Sequence, residues 1–388
     1  MKVAVVVNEL NIRGGTHKQV LRFCEYLKRN KIDFKIYTKY FNPELTYTEF
    51  KKLDVVYLKK DATKFYDSKG SIIKKIKNRL SGRKEERDLY RLIPKDVDIV
   101  NIHDNGFPYL IKLSKKHRKK VVWQINDLPG CYGVGVSQYG SGNIILSIKK
   151  IFYRRLAQKV DCITVNVTKN KKRIQQCMGA EAEVLYCGVD VNDMLIKHTF
   201  PENIERFRLL STGVFFAYRN YETLVDVVEK MKNDNMPIYL DIIGSTASGK
   251  EYAQKIKTLV SGKKLDNYIK IWGQVDDDKY NELYNEANAF AFVNIDQSWG
   301  LAVFEAMSCG LPTIVSESVG AVELLHDNQD SIIVNPLAVD EICNILKRLM
   351  YDKEYYKKIS TNAIEAAKDY SWDQLYSSKL LNIFYGLK

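Results

Sequence analysis

The sequence predicts an α/β protein built from two doubly wound, Rossmann-like domains. Short β-branched runs alternate with amphipathic stretches of helical period along most of the chain. The alternation breaks once, in a polar and irregular segment that follows residue 190, and then restarts. A length of 388 residues is too great for one ordinary domain and suits two of about 150–200 residues.

The first half opens with VAVVV (3–7), a β-branched run that reads as a buried strand. It is too short for the apolar core of a signal peptide, about 7–15 residues. A helix is expected from Thr16, where Val20, Leu21, Phe23, Cys24 and Leu27 fall on one face. Further strands are expected at 34–38, 55–58, 98–103, 121–125, 162–166 and 182–186. After the break they recur at 207–213, 238–244, 268–273, 289–293, 311–316 and 331–336, each followed by a helical pattern. Open parallel sheets bind ligands beyond the carboxyl ends of their strands, so the site is expected there, in a cleft between the halves.

Composition excludes several classes. Apolar residues make up 45% of the chain, enough for two full cores. No run approaches the roughly 20 apolar residues that a spanning helix needs. The seven cysteines are scattered and never form a C-x-x-C pair, which fits reduced thiols in the cytoplasm rather than a disulfide framework or a zinc site. The net charge of +13 divides into +20 over residues 1–190 and −7 over the remainder. The basic excess gathers at 68–87, where Ile72, Ile73, Ile76 and Leu80 recur among lysines, and at 112–120 (KLSKKHRKK). Such a stretch is either an interfacial helix on an anionic membrane surface or a solvated helix docked by its apolar residues. Nucleic acid is not expected as a partner, because no interleaved aromatics or binding module accompany the charge.

Two segments carry chemistry. Gly14 and Gly15, in NIRGGT (11–16), lie between the first strand and the first helix, where glycines admit close backbone approach and a helix N-terminus offers N–H groups to a phosphate or sugar oxygen. A plain turn with Thr16 as helix N-cap is the competing reading. The second segment, QSWGLAVFEAMSCGLPT (297–313), runs from a strand end through a turn at Trp299 and Gly300 into a short helix. Backbone N–H groups of Gly300, Leu301 and Ala302 can face a diphosphate there. Glu305, about two turns further in, is placed to accept hydrogen bonds from a ribose diol.

These segments and four other landmarks resemble glycosyltransferase family 4. Residues 297–313 and 318–323 resemble its E-x7-E region, and Ile12 to Gly15 its N-terminal Gly-Gly loop. DIVNIH (98–103), VVWQIND (121–127), YCGVD (186–190) and Ser371-Trp372 resemble further motifs in family order. The resemblance spans essentially the whole chain and implies the GT-B fold. That means residues 1–190 with a returning helix at 371–388 on the acceptor side, and residues 191–370 binding a nucleotide sugar. It implies transfer of the sugar, with retention of configuration, to a glycan or lipid-linked acceptor.

It also assigns roles. Arg219 neutralises the leaving diphosphate, in the place of the lysine of the family's G-R-x-x-x-x-K clamp, and the clamp's arginine is Val214 here. Glu305 holds the ribose, Gln297 and Asn126 hold the donor sugar, Gly15 closes over it, and Gly273 to Val275 border the base. His103 is a candidate for sugar contact or for relaying the acceptor proton. The family's first glutamate and its H-D histidine are Gln297 and Asn126 in this chain, and Asp296 is one residue from the former. Those departures leave two alternatives open: a weakened subunit supporting a partner enzyme, and a sugar-nucleotide epimerase. No cofactor or metal is expected. The D-x-D letters of Asp276 to Asp278 precede a helix and read as its cap. His17 is expected either in solvent or against the acceptor.

Overall fold

The computed structural model describes residues 1–60, 72–104, 107–126, 143–190, 200–201, 204–247 and 249–388, without the side chains of 72–79 and 143–146. The chain divides into two compact units: unit 1 comprises Met1–Cys187 and Trp372–Lys388, and unit 2 comprises Gly188–Ser371.

Unit 1 is built on seven parallel strands, β1 (Lys2–Leu10), β2 (Asp33–Phe41), β3 (Val55–Lys59), β4 (Ile99–His103), β5 (Lys120–Ile125), β6 (Cys162–Val165) and β7 (Glu183–Val184). Their order is β3-β2-β1-β4-β5-β6-β7, so the direction of winding reverses between β1 and β4. The helices are α1 (Gly15–Arg29), α2 (Ile72–Leu92), α3 (Pro108–Lys116), α4 (Asn143–Ala157) and α5 (Thr168–Met178). Val3 to Val7 are all buried, as a central parallel strand covered on both faces requires. The residues of α1 that its helical period selects are all buried, and His17 and Gln19 are buried with them. The run at 182–186 yields only the two-residue β7, because it pairs with β6 alone at the sheet edge.

The C-terminal segment belongs to this unit. A π-helical turn (Asp373–Ser377) leads into α12 (Ser378–Leu387). Phe23 of α1 meets the rings of Tyr376 and Phe384 edge to face, at 6.0 and 5.6 Å. Arg29 adds a contact to Asp373 at 2.7 Å.

Unit 2 repeats the plan with six parallel strands, β8 (Phe207–Thr212), β9 (Ile238–Ile243), β10 (Ile269–Gly273), β11 (Ala289–Phe292), β12 (Thr313–Ser316) and β13 (Ile332–Val334). The order β10-β9-β8-β11-β12-β13 places its reversal between β8 and β11. Helices α6 (Tyr221–Asn233), α7 (Lys250–Gly262), α8 (Asp277–Glu286), α9 (Leu301–Ser308), α10 (Val339–Tyr351) and α11 (Lys353–Lys368) cover the sheet. One core joins the sheet to α6, α7, α10 and α11, with Leu209, Leu240, Ile242, Ala291 and Ile314 from the strands against Val227, Met231, Leu346 and Ile359 from the helices. Asp276 caps α8 by accepting from the Lys279 amide at 2.8 Å, so the D-x-D letters serve helix geometry.

Candidate active site

In each unit, most of the residues singled out in the sequence lie where the winding reverses, the place where open α/β sheets bind ligands. Asn126 instead follows β5, and Gly273 ends and Val275 follows the edge strand β10. In unit 2 the loop after β8 carries Arg219 in a short 3-10 turn (Ala217–Arg219), and the loop after β11 carries Gln297. Neighbouring strands bring the two together: Arg219 Nη1 donates to Gln297 Oε1 at 3.1 Å, and Nε donates to Val214 O at 3.3 Å. The buried Asn294 amide lies against Gln297 as well.

The next residue locks the two loops. Asn220 takes a left-handed conformation (φ 54°), and its amide donates to Val293 O at 3.1 Å and Pro336 O at 2.8 Å. Two glycines make room. At Gly213 (φ +153°) a Cβ would lie 2.4 Å from Arg219 Cζ, and at Gly244 (φ +155°) one would lie 1.9 Å from Gly213 O.

Gly300, buried, is the N-cap of α9, and the amides of half-buried Leu301 and Ala302 lie at the helix start, where intrahelical acceptors are lacking. Trp299 is a core residue, stacked on Phe304 with centroids 5.2 Å apart, so it serves the turn through its backbone. Glu305 sits little more than one turn into α9, nearer the helix start than its expected two turns. Its Oε2 is bonded by the half-buried Tyr280 hydroxyl at 2.9 Å, and Tyr280 is bonded to Tyr284 at 2.9 Å. Burial, reinforced by the Glu305 carboxylate, pushes both phenols well above their usual range, so they remain neutral. Gly273 turns the end of β10 with φ 73°, and Val275 follows, half-buried. Trp272 beside them donates to Asp241 Oδ1 at 2.7 Å.

In unit 1 the reversal point holds two histidines. His17, which could have faced solvent, is buried, and its Nε2 donates to Glu9 O at 2.8 Å. His103, at the end of β4, is fully buried with Nε2 against Asn101 Oδ1 at 2.9 Å. Each of those partners is an acceptor, so both rings carry the proton on Nε2 and a lone pair on Nδ1. Both Nδ1 atoms are buried without a hydrogen-bond partner among the described residues. Burial lowers the pKa of His17 to about 4 and that of His103 to about 3. The relay of a proton expected of His103 would need an imidazolium that this site disfavours. Hydrogen-bond acceptance at Nδ1 remains open to it.

Asn126 sits in a closed network. Its amide donates to Gln19 Oε1 at 2.8 Å and Thr16 Oγ1 at 3.2 Å, and its oxygen accepts from Gln124 at 2.9 Å. Gln124 in turn accepts from Thr164 at 2.6 Å and from Tyr376 at 3.3 Å. Asn126 therefore has no amide hydrogen left for a sugar. Thr16 is not the helix cap: α1 starts at Gly15 with Gly14 in extended conformation as N-cap, while the Thr16 hydroxyl accepts from Asn126. Asp127, the last residue of that motif, lies outside the described residues.

Part of the basic charge is also spent internally. Lys119 is buried and donates to the carbonyls of Pro94, Lys95 and Val97 at 2.9–3.1 Å, and Lys115 pairs with Asp161 at 2.7 Å. Residues 68–71 and the side chains of Ile72, Ile73 and Ile76 lie outside the described residues. Among those described, no three His, Cys, Asp or Glu side chains gather into a group that could hold a metal ion. No helix there is long and apolar enough to cross a membrane.

Sequence reasoning missed Asn220, Asn294, Tyr280 and Gly244. Asn220 alone had a local signal, an asparagine just ahead of a helix, where left-handed backbone is tolerated.

Comparison with known proteins agrees with the two-domain α/β fold. Residues 13–193 match the family model described as Glycosyltransferase Family 4, and residues 196–366 match that described as Glycosyl transferases group 1. Sucrose synthase 6 of Oryza sativa subsp. japonica is 32% identical over 143 residues, which cover 34% of this chain and 17% of that protein. The serotype-specific mannosyltransferase WbdA of Escherichia coli is 21% identical over 217 residues, 56% of this chain and 26% of WbdA. The chain thus spans about a quarter or less of these two relatives. Anabaena HepE, solved in complex with UDP and glucose, superposes with a TM-score of 0.75 at 14% identity, covering 100% of both chains. WaaG, a glycosyltransferase involved in lipopolysaccharide biosynthesis, gives 0.67 at 14% identity, covering 99% of this chain and 100% of its own.

Proposed function

We propose, because this chain belongs to glycosyltransferase family 4 and has its GT-B fold, that it is a retaining hexosyltransferase acting on a nucleotide sugar. Its acceptor is a glycan or a lipid-linked sugar, in polysaccharide or glycolipid assembly. The observation that carries the reading is the meeting of Arg219 and Gln297 at the reversal point of unit 2, beside the start of α9.

Departure of a nucleoside diphosphate develops negative charge on its outer phosphate. In this reading the Arg219 guanidinium and the Leu301 and Ala302 amides stabilise that charge, which lowers the barrier more than it tightens ground-state binding. Glu305, steadied through Oε2 by Tyr280, accepts from the ribose through Oε1. Gln297 holds a hydroxyl of the donor sugar, and the backbone of Gly273 to Val275 borders the base. In unit 1, Gly14 and Gly15 let the chain approach a ligand closely, and His103 offers Nδ1 to a sugar hydroxyl. Asn126 is a positioning residue that sets Thr16 and Gln19 on α1. No step calls for a metal ion.

The enzyme is proposed to work in the cytoplasm, at an anionic membrane face. The +20 charge of residues 1–190 supports this, as does α4, where exposed Ile148 and Ile151 stand beside exposed Lys149, Arg154 and Arg155.

A thermal-shift screen against UDP, GDP, ADP, CMP and their sugars tests the donor site, since ligand at 100 times its Kd adds about 2.7 kcal/mol. NMR of the product then reads the anomeric configuration. Inversion overturns the retaining reading, and a changed sugar nucleotide formed without acceptor identifies an epimerase.

A further inference from the structure

Three large apolar side chains stand exposed together on unit 2: Phe216 at 37%, Tyr218 at 41% and Ile295 at 40%. The Ile295 amide donates to Tyr218 O at 2.7 Å, so the loops after β8 and β11 present them as one surface. The rings of Phe216 and Tyr218 are nearly parallel, with centroids 5.8 Å apart and planes 27° apart. Arg219 follows at once, its Cζ 5.2 Å from the Tyr218 ring and 5.6 Å from that of Phe292. Single exposed apolar residues are ordinary on a protein surface. A pair of stacked rings held open beside a cation at a ligand-binding switch point marks a surface that something covers.

We propose that Phe216 and Tyr218, although on the unit that the family resemblance gives to the nucleotide sugar, form a stacking platform for a pyranose ring of the acceptor; this rests on the retaining reading above. A pyranose has an apolar C–H face and a rim of hydroxyls. The two rings match that face, and Arg219, with Cζ 5.2 Å from the Tyr218 ring, sets the leaving diphosphate beside them. The acceptor is chosen over the donor sugar by the direction of attack. With retention, the incoming hydroxyl approaches from the face that the diphosphate leaves, so the acceptor ring lies alongside the leaving group and its cation. One side of the guanidinium is already occupied, by Gly213 at a distance that leaves no room for a Cβ. The Tyr218 ring lies 5.2 Å from Cζ, and Phe216 extends the aromatic surface from Tyr218.

Saturation-transfer NMR tests this with methyl α-D-glucopyranoside, galactopyranoside and mannopyranoside as probes. The full chain is saturated with whichever of UDP or GDP it binds. Transfer to the C–H protons of at least one pyranoside is expected, and it should persist when the intact nucleotide sugar replaces the diphosphate. It should fall by about tenfold in the Phe216→Ala/Tyr218→Ala variant, the loss of a ring contact worth up to about 1.5 kcal/mol. Tyr218→Phe should retain it, because stacking needs the ring and not the hydroxyl. Nucleoside diphosphate affinity should change by less than about twofold in both variants, showing that they are folded. The proposal is overturned by unchanged transfer in the double variant, by loss in Tyr218→Phe, or by no contact in the parent protein. Displacement by the nucleotide sugar reassigns the platform to the donor, and protection of the rings by UDP or GDP alone reassigns it to the base; either overturns it. Failure of the parent protein to bind any nucleoside diphosphate instead sinks the donor-site reading, and the platform with it.

Discussion

Arg219 and Gln297, 78 residues apart in sequence, are joined by a 3.1 Å hydrogen bond from Nη1 to Oε1. The partner is a neutral amide, so this contact orients the guanidinium without cancelling its charge. A carboxylate at the same point would form an ion pair and compete with an incoming diphosphate. The amide at 297 thus fits the proposed use of Arg219 at the leaving diphosphate, where Val214 stands in place of the family arginine.

Replacement of Arg219 with alanine should therefore act on catalysis more than on binding. A fall in kcat of about 100-fold or more is expected, with a much smaller rise in donor KM, the pattern of a donor that acts in the transition state. Steady-state kinetics with the selected donor measure both. A kcat loss under about fivefold would assign the leaving group to another residue.

Glu305→Ala should cost nucleotide affinity and some stability together. The lost hydrogen bond to a charged acceptor is worth about 1.5–3 kcal/mol, tenfold or more in Kd. The Tyr280 hydroxyl also loses its acceptor, which should lower the melting temperature without unfolding the protein. Titration calorimetry showing unchanged nucleotide affinity would remove Glu305 from the ribose site.

The buried histidines should make unit 1 acid-sensitive in a defined window. Unfolded, each binds a proton near pH 6.5, whereas folded His17 and His103 hold out to about 4 and about 3. Their folded values are depressed, so the unfolded chain binds more protons below pH 6.5, and stability falls as pH drops from there toward the folded values. The slope approaches about 1.4 kcal/mol per pH unit for each histidine. The raised carboxyls of Glu9 and Glu86 act in the opposite sense. Comparing urea midpoints of the parent protein and His103→Gln between pH 7 and 5 isolates the histidine. Equal slopes in the two proteins would contradict its neutral burial.

Membrane attraction predicts co-sedimentation with vesicles containing anionic lipid. Each well-placed basic residue contributes roughly 1 kcal/mol, and raising salt from about 0.05 to 0.5 M should release the protein. Charge reversal at Lys74, Lys75 and Lys77, or at Arg154 and Arg155 beside the exposed Ile148 and Ile151, should weaken binding and leave nucleotide affinity intact. Lys119→Glu should instead destabilise unit 1, because Lys119 is buried against three carbonyls. Equal partitioning to neutral and anionic vesicles would point to a soluble acceptor.

The sequence by itself determined the repeated strand–helix alternation, the inward face of α1, the cap at Asp276 and the family motifs. All of these are legible because periodicity, capping and short motifs are set by residues a few positions apart. Only the tertiary structure decided which polar groups are spent and which remain available. Asn126 reads as a sugar ligand, but Gln19, 107 residues away, and Thr16 take its two amide hydrogens and leave only its oxygen to accept. Lys119 reads as surface charge until three distant carbonyls enclose it. His103 reads as a candidate for sugar contact or proton relay, and its full burial at the end of β4 favours the neutral ring. Arg219 and Gln297 become one site only because β8 and β11 are neighbours, and Phe216, Tyr218 and Ile295 become one surface for the same reason. Strand order brings distant hydrogen-bonding groups together, and burial then sets the cost of leaving any of them unmatched.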